Sequence, residues 1–290
     1  MAAAKTTDTS CKVKLDVLTP GGPSLAYHVG WLVDGSLYVH GGIDKSGSKT
    51  PLNRLHRFNF ESNTWSEIRS PGSPALSHHT CVIVGSSYAV IIGGWDGHKR
   101  TSDVHIFDLS SERWSSPATL GFPVGAGLSS HAAVLLSDGS IFVVGREGSL
   151  RIQRRFGSAF LLKGDPSLGA TGTFQYEDLS YSVASRSGHS LHISGSTIVA
   201  IGGRDDKVVE THACVKSSAP AVCPCSTLAH LAQVLVNSPT AKQMPARKNH
   251  ASACGSGIIF VHGGWTFDGR SRDPVGQVIF FNLIHTGNFC

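Results

Sequence analysis

Five histidines carry the most regular chemical signal in this sequence. His28, His79, His131, His189 and His250 each stand 14 or 15 residues before a glycine that ends a short apolar run: Gly42, Gly94, Gly145, Gly203 and Gly264. Imidazole is a common metal ligand and a general base. Here each histidine occupies the same place in a different repeating unit, so the five are spread apart and do not gather round one ion. Hydrogen bonding between units is the role expected of them. A second group comprises Cys214, Cys223 and Cys225, with His212 and His230 nearby. Structural zinc takes four ligands, often from C-x₂-C pairs. The tight pair here is Cys-Pro-Cys and no second pair follows, so incidental loop cysteines are expected and no metal site. G-x-S-x-G, H-E-x-x-H, G-x-G-x-x-G and the G-K-[ST] ending of a phosphate loop are all missing. We therefore expect no catalytic residue, no cofactor and no enzymatic activity.

The elements that would position these residues come from the repeat itself. Gly-Gly doublets close SLYVHGG, YAVIIGG, TIVAIGG and IIFVHGG, and IFVVGREG holds the equivalent place in the third unit, with Gly145 alone and Arg146 read as replacing the second glycine. Successive spacings are 52, 51, 58 and 61 residues. Trp65 and Trp114 end the segments RLHRFNFESNTW and DVHIFDLSSERW, whose alternation predicts half-buried strands. Each unit is then four short strands: one with the histidine, one ending in Gly-Gly, one carrying an aromatic before Asn or Asp, and one starting near Trp. No helix of crossover length interrupts them, which disfavours a parallel sheet. The exception is STLAHLAQVLVNS over 226–238, where Leu228, Leu231 and Leu235 recur at helical spacing behind Ser226 as N-cap.

A four-stranded unit of about 50 residues with Gly-Gly, an aromatic-Asp strand and Trp resembles the kelch repeat. SRSGH at 185–189 and GREGSLRIQRRFGS at 145–158 are similar, more narrowly, to the kelch domain-containing protein 9 family. The resemblance implies an all-β fold, a β-propeller of four-stranded antiparallel blades near 24–68, 75–118, 127–178, 185–216 and 246–290, with a helical insertion near 211–249. Kelch propellers usually close with six or seven blades, and five are visible here. We expect a missing or incomplete sixth blade in a truncated or alternatively ended form. Residues 1–23 precede the first blade, and Lys12–Leu18 could supply a closing strand to the last one.

Composition narrows the function further. Charged residues make up 16% of the 290, against about 25% in typical domains, which together with 40% hydrophobic residues excludes disorder as the dominant state. No run of about 20 apolar residues predicts a membrane span. Met1–Cys11 shows no apolar core of a secretory leader, so reduced thiols in the cytoplasm or nucleus are expected. The net charge of +5 permits acidic partners, but the basic-aromatic platforms of nucleic-acid binders are not evident.

Alternating strands put the loops between strands two and three on the same face as the loops between blades. The former (43–53, 95–102, 145–155, 204–210 and 265–276) hold twelve Lys or Arg against eight Asp or Glu. This face should be positive, with its strongest point at Arg146, Arg151, Arg154 and Arg155. Arg100, Arg204 and Arg270 lie on it too, as do Trp95, Trp265 and Phe267. Arginine with exposed aromatics is a hot-spot composition, and guanidinium matches carboxylates bidentately. The expected function is a protein-interaction adaptor or scaffold binding an acidic partner; no small-molecule substrate is expected. The resemblance implies a cyclin as one such partner. The alternative is substrate recognition for a ubiquitin ligase. A propeller enzyme, as galactose oxidase is, ranks third.

Overall fold

The computed structural model describes residues 21–44, 50–145, 147–148, 157–183, 187–194, 197–204, 214–215, 217–218, 235–236, 247–255, 258–267, 272–274 and 278–282. The first blade is an antiparallel sheet of β1 (Val29–Val33), β2 (Ser36–His40), β3 (Leu55–Asn59) and β4 (Thr64–Ile68), in that order. Its first hairpin turns on Asp34-Gly35, both at positive φ (47° and 66°), as a tight two-residue hairpin requires. Its last turn forms because Asn59 Oδ1 accepts from the Glu61 and Ser62 amides at 2.8 and 2.9 Å. That turn sets Phe58 opposite Trp65. The second blade repeats the pattern with β5 (Thr80–Val84), β6 (Tyr88–Trp95), β7 (Arg100–Asp108) and β8 (Arg113–Ser115). There Asp108 Oδ1 accepts from the Ser110 and Ser111 amides, and Phe107 faces Trp114.

Beyond this point the chain departs from simple repetition. β9 (Ala118–Leu120) crosses over and pairs parallel with β15 (Thr173–Val183), at the outer edge of the third blade. That blade has the order β11 (Ala132–Leu135), β12 (Ile141–Gly145), β14 (Gly157–Lys163), β15, β9. Two short strands, β10 (Gly127–Leu128) and β13 (Glu147–Gly148), instead extend the second blade beyond β7. In the fourth blade β16 (Ser187–Ser194), β17 (Thr197–Arg204) and β19 (Ser217–Ser218) pair in series. β18 (Cys214–Val215) pairs with β20 (Leu235–Val236). The last two residues were expected to be helical; they are extended because Cys214–Val215 offers them a backbone ladder. The rest of that expected helix, with His212, Cys223, Cys225 and His230, lies outside the described residues, as does Lys12–Leu18. The fifth blade holds β21 (Ala251–Gly255), β22 (Ile258–His262), the hairpin β23 (Trp265–Phe267) and β24 (Arg272–Pro274), and β25 (Val278–Asn282) as third strand of the sheet. Among the described residues no helix is long and apolar enough to cross a membrane.

The core lies between blades. Trp31, Tyr38 and Leu55 of the first pack on Ala89, Ile91 and Phe107 of the second. Val90, Ile92 and Ile106 on the other side of the second blade meet Val143, Phe160 and Leu162 of the third. Phe142, Val144 and Leu161 then meet Leu191, Ile198 and Ala200 of the fourth. A strand covered on both faces needs apolar residues at every position. This explains why Ala89–Ile92 is a continuous apolar run and 0% exposed.

The periodic histidines lock these seams. The residue just before each one has positive φ: Tyr27 57°, His78 57°, Ser130 54°, Gly188 70° and Asn249 53°. These five form an inter-blade backbone ladder, in which His78 N–H donates to Tyr27 O, Ser130 to His78, Gly188 to Ser130 and Asn249 to Gly188, at 2.8–2.9 Å. Each histidine then lies on the second glycine of its own blade and, where the preceding blade has a doublet, on the first glycine there. A Cβ on Gly94 would come within 2.8 Å of His79 Cβ, and one on Gly41 within 2.8 Å of His79 Cε1. His131 Cβ lies against Gly145 in the same way. Gly145 is therefore the second glycine of its blade, and Val144, not Arg146, marks the substitution. The blade tolerates it because neither Val144 nor Gly145 adopts the positive φ seen at the other doublets. Two of the periodic histidines make side-chain hydrogen bonds across a seam: His79 Nε2 with His40 Nδ1 at 3.0 Å, and His250 Nε2 with Ser190 Oγ at 2.9 Å.

Leu76 and Leu128, three residues before their histidines, are buried; Arg247 takes that place in the fifth blade and is 0% exposed. Its Nη1 donates to Gly263 O at 3.1 Å. Buried ion groups are commonly replaceable by apolar residues of similar size. Arg247→Leu is expected to leave urea-unfolding stability equal or higher, while Arg247→Ala lowers it by about 2–4 kcal/mol by opening a void.

Burial holds the imidazoles of His131, His192 and His250 down at about 4, and that of His40 at about 3. Since each folded value lies below the ordinary 6.5, the unfolded chain binds more protons between pH 4 and 6.5, and stability rises with pH across that window. For His131 the shift corresponds to roughly 3 kcal/mol. Thermal melting should be flat above pH 7 and fall steeply below 6.5. His131→Asn should flatten that fall, and a melting temperature indifferent to pH would contradict the assignment.

Candidate interaction face

In four of the blades the residue that follows the second glycine pairs with the residue two before the histidine. Ile43 and Ala26 exchange two backbone hydrogen bonds at 2.8 and 2.9 Å, Trp95 and Ser77 at 2.7 and 3.0 Å, and Trp265 and Lys248 at 2.9 Å each. Arg204 stands opposite Ser187 in the β16–β17 register. The loops between strands two and three thus share one face with the loops between blades. The residues on this face are arranged by backbone pairing, so their side chains are presented from fixed positions.

Trp95 and Arg100 stand directly opposite each other where β6 meets β7. Asp96 closes the hairpin, its Oδ1 accepting from the His98 and Lys99 amides at 2.7 Å each. On the adjoining inter-blade loop, the His78 ring stacks on Tyr27 with centroids 3.9 Å apart and planes 19° apart. Burial, and after it the nearby Arg100 guanidinium, lowers His78 to about 4. His78 is therefore neutral at physiological pH, and the positive charge here belongs to Arg100. Around the ring, Arg204 is half-buried and Trp265 is 45% exposed with Lys248 beside it in the ladder. The face so built carries flat aromatic surface beside guanidinium groups.

Of the residues expected on this face, Trp95, Arg100, Arg204 and Trp265 are placed there. Arg146, Arg151, Arg154, Arg155 and Arg270 lie outside the described residues. Tyr27, His78 and Lys248 were not anticipated. Their signal was present, since they precede the periodic histidines by one or two residues. Among the described residues no group of three or more His, Cys, Asp or Glu is placed to hold a metal. Cys81 is half-buried, and desolvation pushes its thiol above the ordinary range.

Comparison with known proteins agrees with this architecture. Residues 5–155 match the family model of the KLHDC2/KLHL20/DRC7 Kelch-repeats domain. The chain is 38% identical over 165 residues to Kelch domain-containing protein 9 of Mus musculus, and 34% over 165 residues to that of Homo sapiens. Each match covers 57% of this chain and 46% of the relative, so the chain spans under half the length of these relatives. Rab9 effector protein with kelch motifs of Mus musculus is 38% identical over 93 residues, 30% of this chain and 24% of that one. With the periodic glycines, the inter-blade histidines and half of the chain matched, the protein belongs to the kelch-repeat family, and its sheets are the blades of a β-propeller.

Proposed function

We propose that this chain is a non-enzymatic adaptor that holds an acidic segment of a partner protein across its loop face. The observation that carries the proposal is the grouping of Tyr27, His78, Trp95 and Arg100 on adjoining loops, continued by Arg204 and by Trp265 with Lys248. Kelch-repeat relatives support a protein as the partner class, one of them being an effector of another protein by its printed name. Arg146, Arg151, Arg154 and Arg155 would add to the same face by their place in the sequence. A cyclin is one acidic-surface partner that fits this proposal, and service as the substrate-recognition part of a ubiquitin ligase is its main rival. Cytoplasm or nucleus is the proposed compartment.

Affinity purification with mass spectrometry tests these points together. Wild type is compared with Arg100→Glu/Arg204→Glu and with Arg146→Glu/Arg151→Glu, after melting curves show each variant folded. Loss of a hot-spot residue costs about 2 kcal/mol, roughly thirtyfold in affinity, so capture of the specific partners should fall at least tenfold in one or both variants. Capture should also weaken as salt is raised. A cyclin among the lost proteins would name the partner, while a copurifying cullin would favour the ligase. Partners retained in full by both variants would sink the placement of the site.

A further inference from the structure

Three of the four seams between blades close on apolar side chains of the first strands. Counted from each periodic histidine, the residues one and three on face the next blade, and those two and four on face the preceding one. Val29 and Trp31 thus meet Cys81 and Ile83 at the first seam. Val82 meets Ala133 and Leu135 at the second, and Ala132 and Val134 meet Leu191 and Ile193 at the third. The fourth seam is built differently. Ser190 and His192 stand on one side of it, and His250, Ser252 and Cys254 on the other. They pair crosswise: Ser190 Oγ hydrogen-bonds to His250 Nε2, and His192 Nε2 to Ser252 Oγ, both at 2.9 Å. These four residues are half-buried, and Cys254, at the place of Ile83, Leu135 and Ile193, is exposed. Register sets Ile201 and Val199 beside Ser190 and His192, and Val261 and Ile259 beside Ser252 and Cys254. Those second-strand residues are buried and supply the apolar contact at this seam.

Charge at this seam has one sign. Buried Arg247 stands where Leu76 and Leu128 stand in other blades. Lys248 and Arg204 lie at its loop end, and His189 is on the opposite face of β16. β16, β17, β21 and β22 carry no Asp or Glu. Desolvation, then Arg247 and then His192, lowers His250 to about 4, and desolvation lowers His192 to about 4. Among the described residues His250 Nδ1 is buried without a hydrogen-bond partner. A proton there adds an N–H with no acceptor, next to a guanidinium.

We propose that this seam is an acid-opened joint: proton uptake by His192 and His250 parts the fourth blade from the fifth while the three apolar seams stay closed. His79 with His40, His131 and His189 occupy the other seams, but apolar clusters hold those blades together, so their titration is felt in global unfolding. Once the joint parts, both imidazoles meet water and regain the ordinary 6.5. The open form therefore binds more protons and gains population as pH falls from 6.5 towards 4. Parting would carry Trp265 and Lys248 away from Arg204 across the loop face. That consequence rests on the adaptor reading; the opening itself does not.

Residue-resolved amide hydrogen exchange on the full chain tests it, each rate being divided by the intrinsic rate at the same pH. The reporters are the Asn249 and Gly203 amides, which donate across this seam to Gly188 O at 2.8 Å and Arg247 O at 2.9 Å. Their protection should fall between pH 7 and pH 5 by about twentyfold for each imidazole released. At pH 5 they should exchange faster than the Gly42 and His78 amides, their counterparts at the first seam. Low urea should barely change that exchange, as for any opening much smaller than global unfolding. His192→Val/Ser252→Ala rebuilds here the Val82–Ala133 pair of the second seam. It should raise protection of both reporters at pH 5 and cut the fall to one imidazole's share. Reporters whose protection is equal at pH 7 and pH 5 would overturn the proposal. So would exchange in step with Gly42 and His78 at every urea concentration, or a variant that keeps the wild-type fall.

Discussion

Close approach between neighbouring blades is the constraint on which everything else in this structure depends. A blade is a thin sheet whose faces are both apolar, so it is stable only while something covers each side. The imidazole at each seam fills the space left where a doublet glycine has no side chain, and the left-handed residue before it turns the chain into the ladder along the axis. Burial follows from this geometry. Desolvation keeps the imidazoles of His79, His131 and His250 neutral at physiological pH. Cationic chemistry is left to the arginines and lysine outside the seams.

Division between inside and outside also explains the face. Strand ends that pair with the inter-blade loops hold Trp95, Arg100, Arg204 and Trp265 at set positions, although all are loop residues by sequence. Rigid presentation lowers the conformational cost of binding. The blade interior therefore contributes to recognition indirectly: it fixes the spacing of the groups that a partner would meet.

Much of the fold is legible in the sequence because its determinants are local. Asn59 and Asp108 shape turns with amides two and three residues on, and the Gly-Gly and histidine positions recur at a constant offset. The shared face follows from strand alternation alone, which is how Trp95 and Arg204 could be placed. What could not be foreseen depends on partners distant in sequence. β9 has no alternation of its own and becomes a strand because β15 extends far enough to pair with it. Leu235–Val236 sits in a helical pattern, yet a remote pair of residues supplies the competing ladder. The lone glycine of the third unit has Arg146 after it and Val144 before it, and the close approach of His131 Cβ is what assigns Gly145 to the second place. Tyr27 and His78 are marked in the sequence only by standing one residue before a periodic histidine.

The cross-links between the second and third blades have a consequence for the order in which the molecule comes apart. Tyr176 donates to Ser102 O at 2.9 Å, the Val104 amide donates to Thr119 Oγ1 at 3.1 Å, and β9 and β10 each leave one blade to pair at the other's side. In a row of modules that otherwise touch only their immediate neighbours, these ties merge two of them into a single cooperative unit. Opening either of the two therefore means breaking hydrogen bonds to the other.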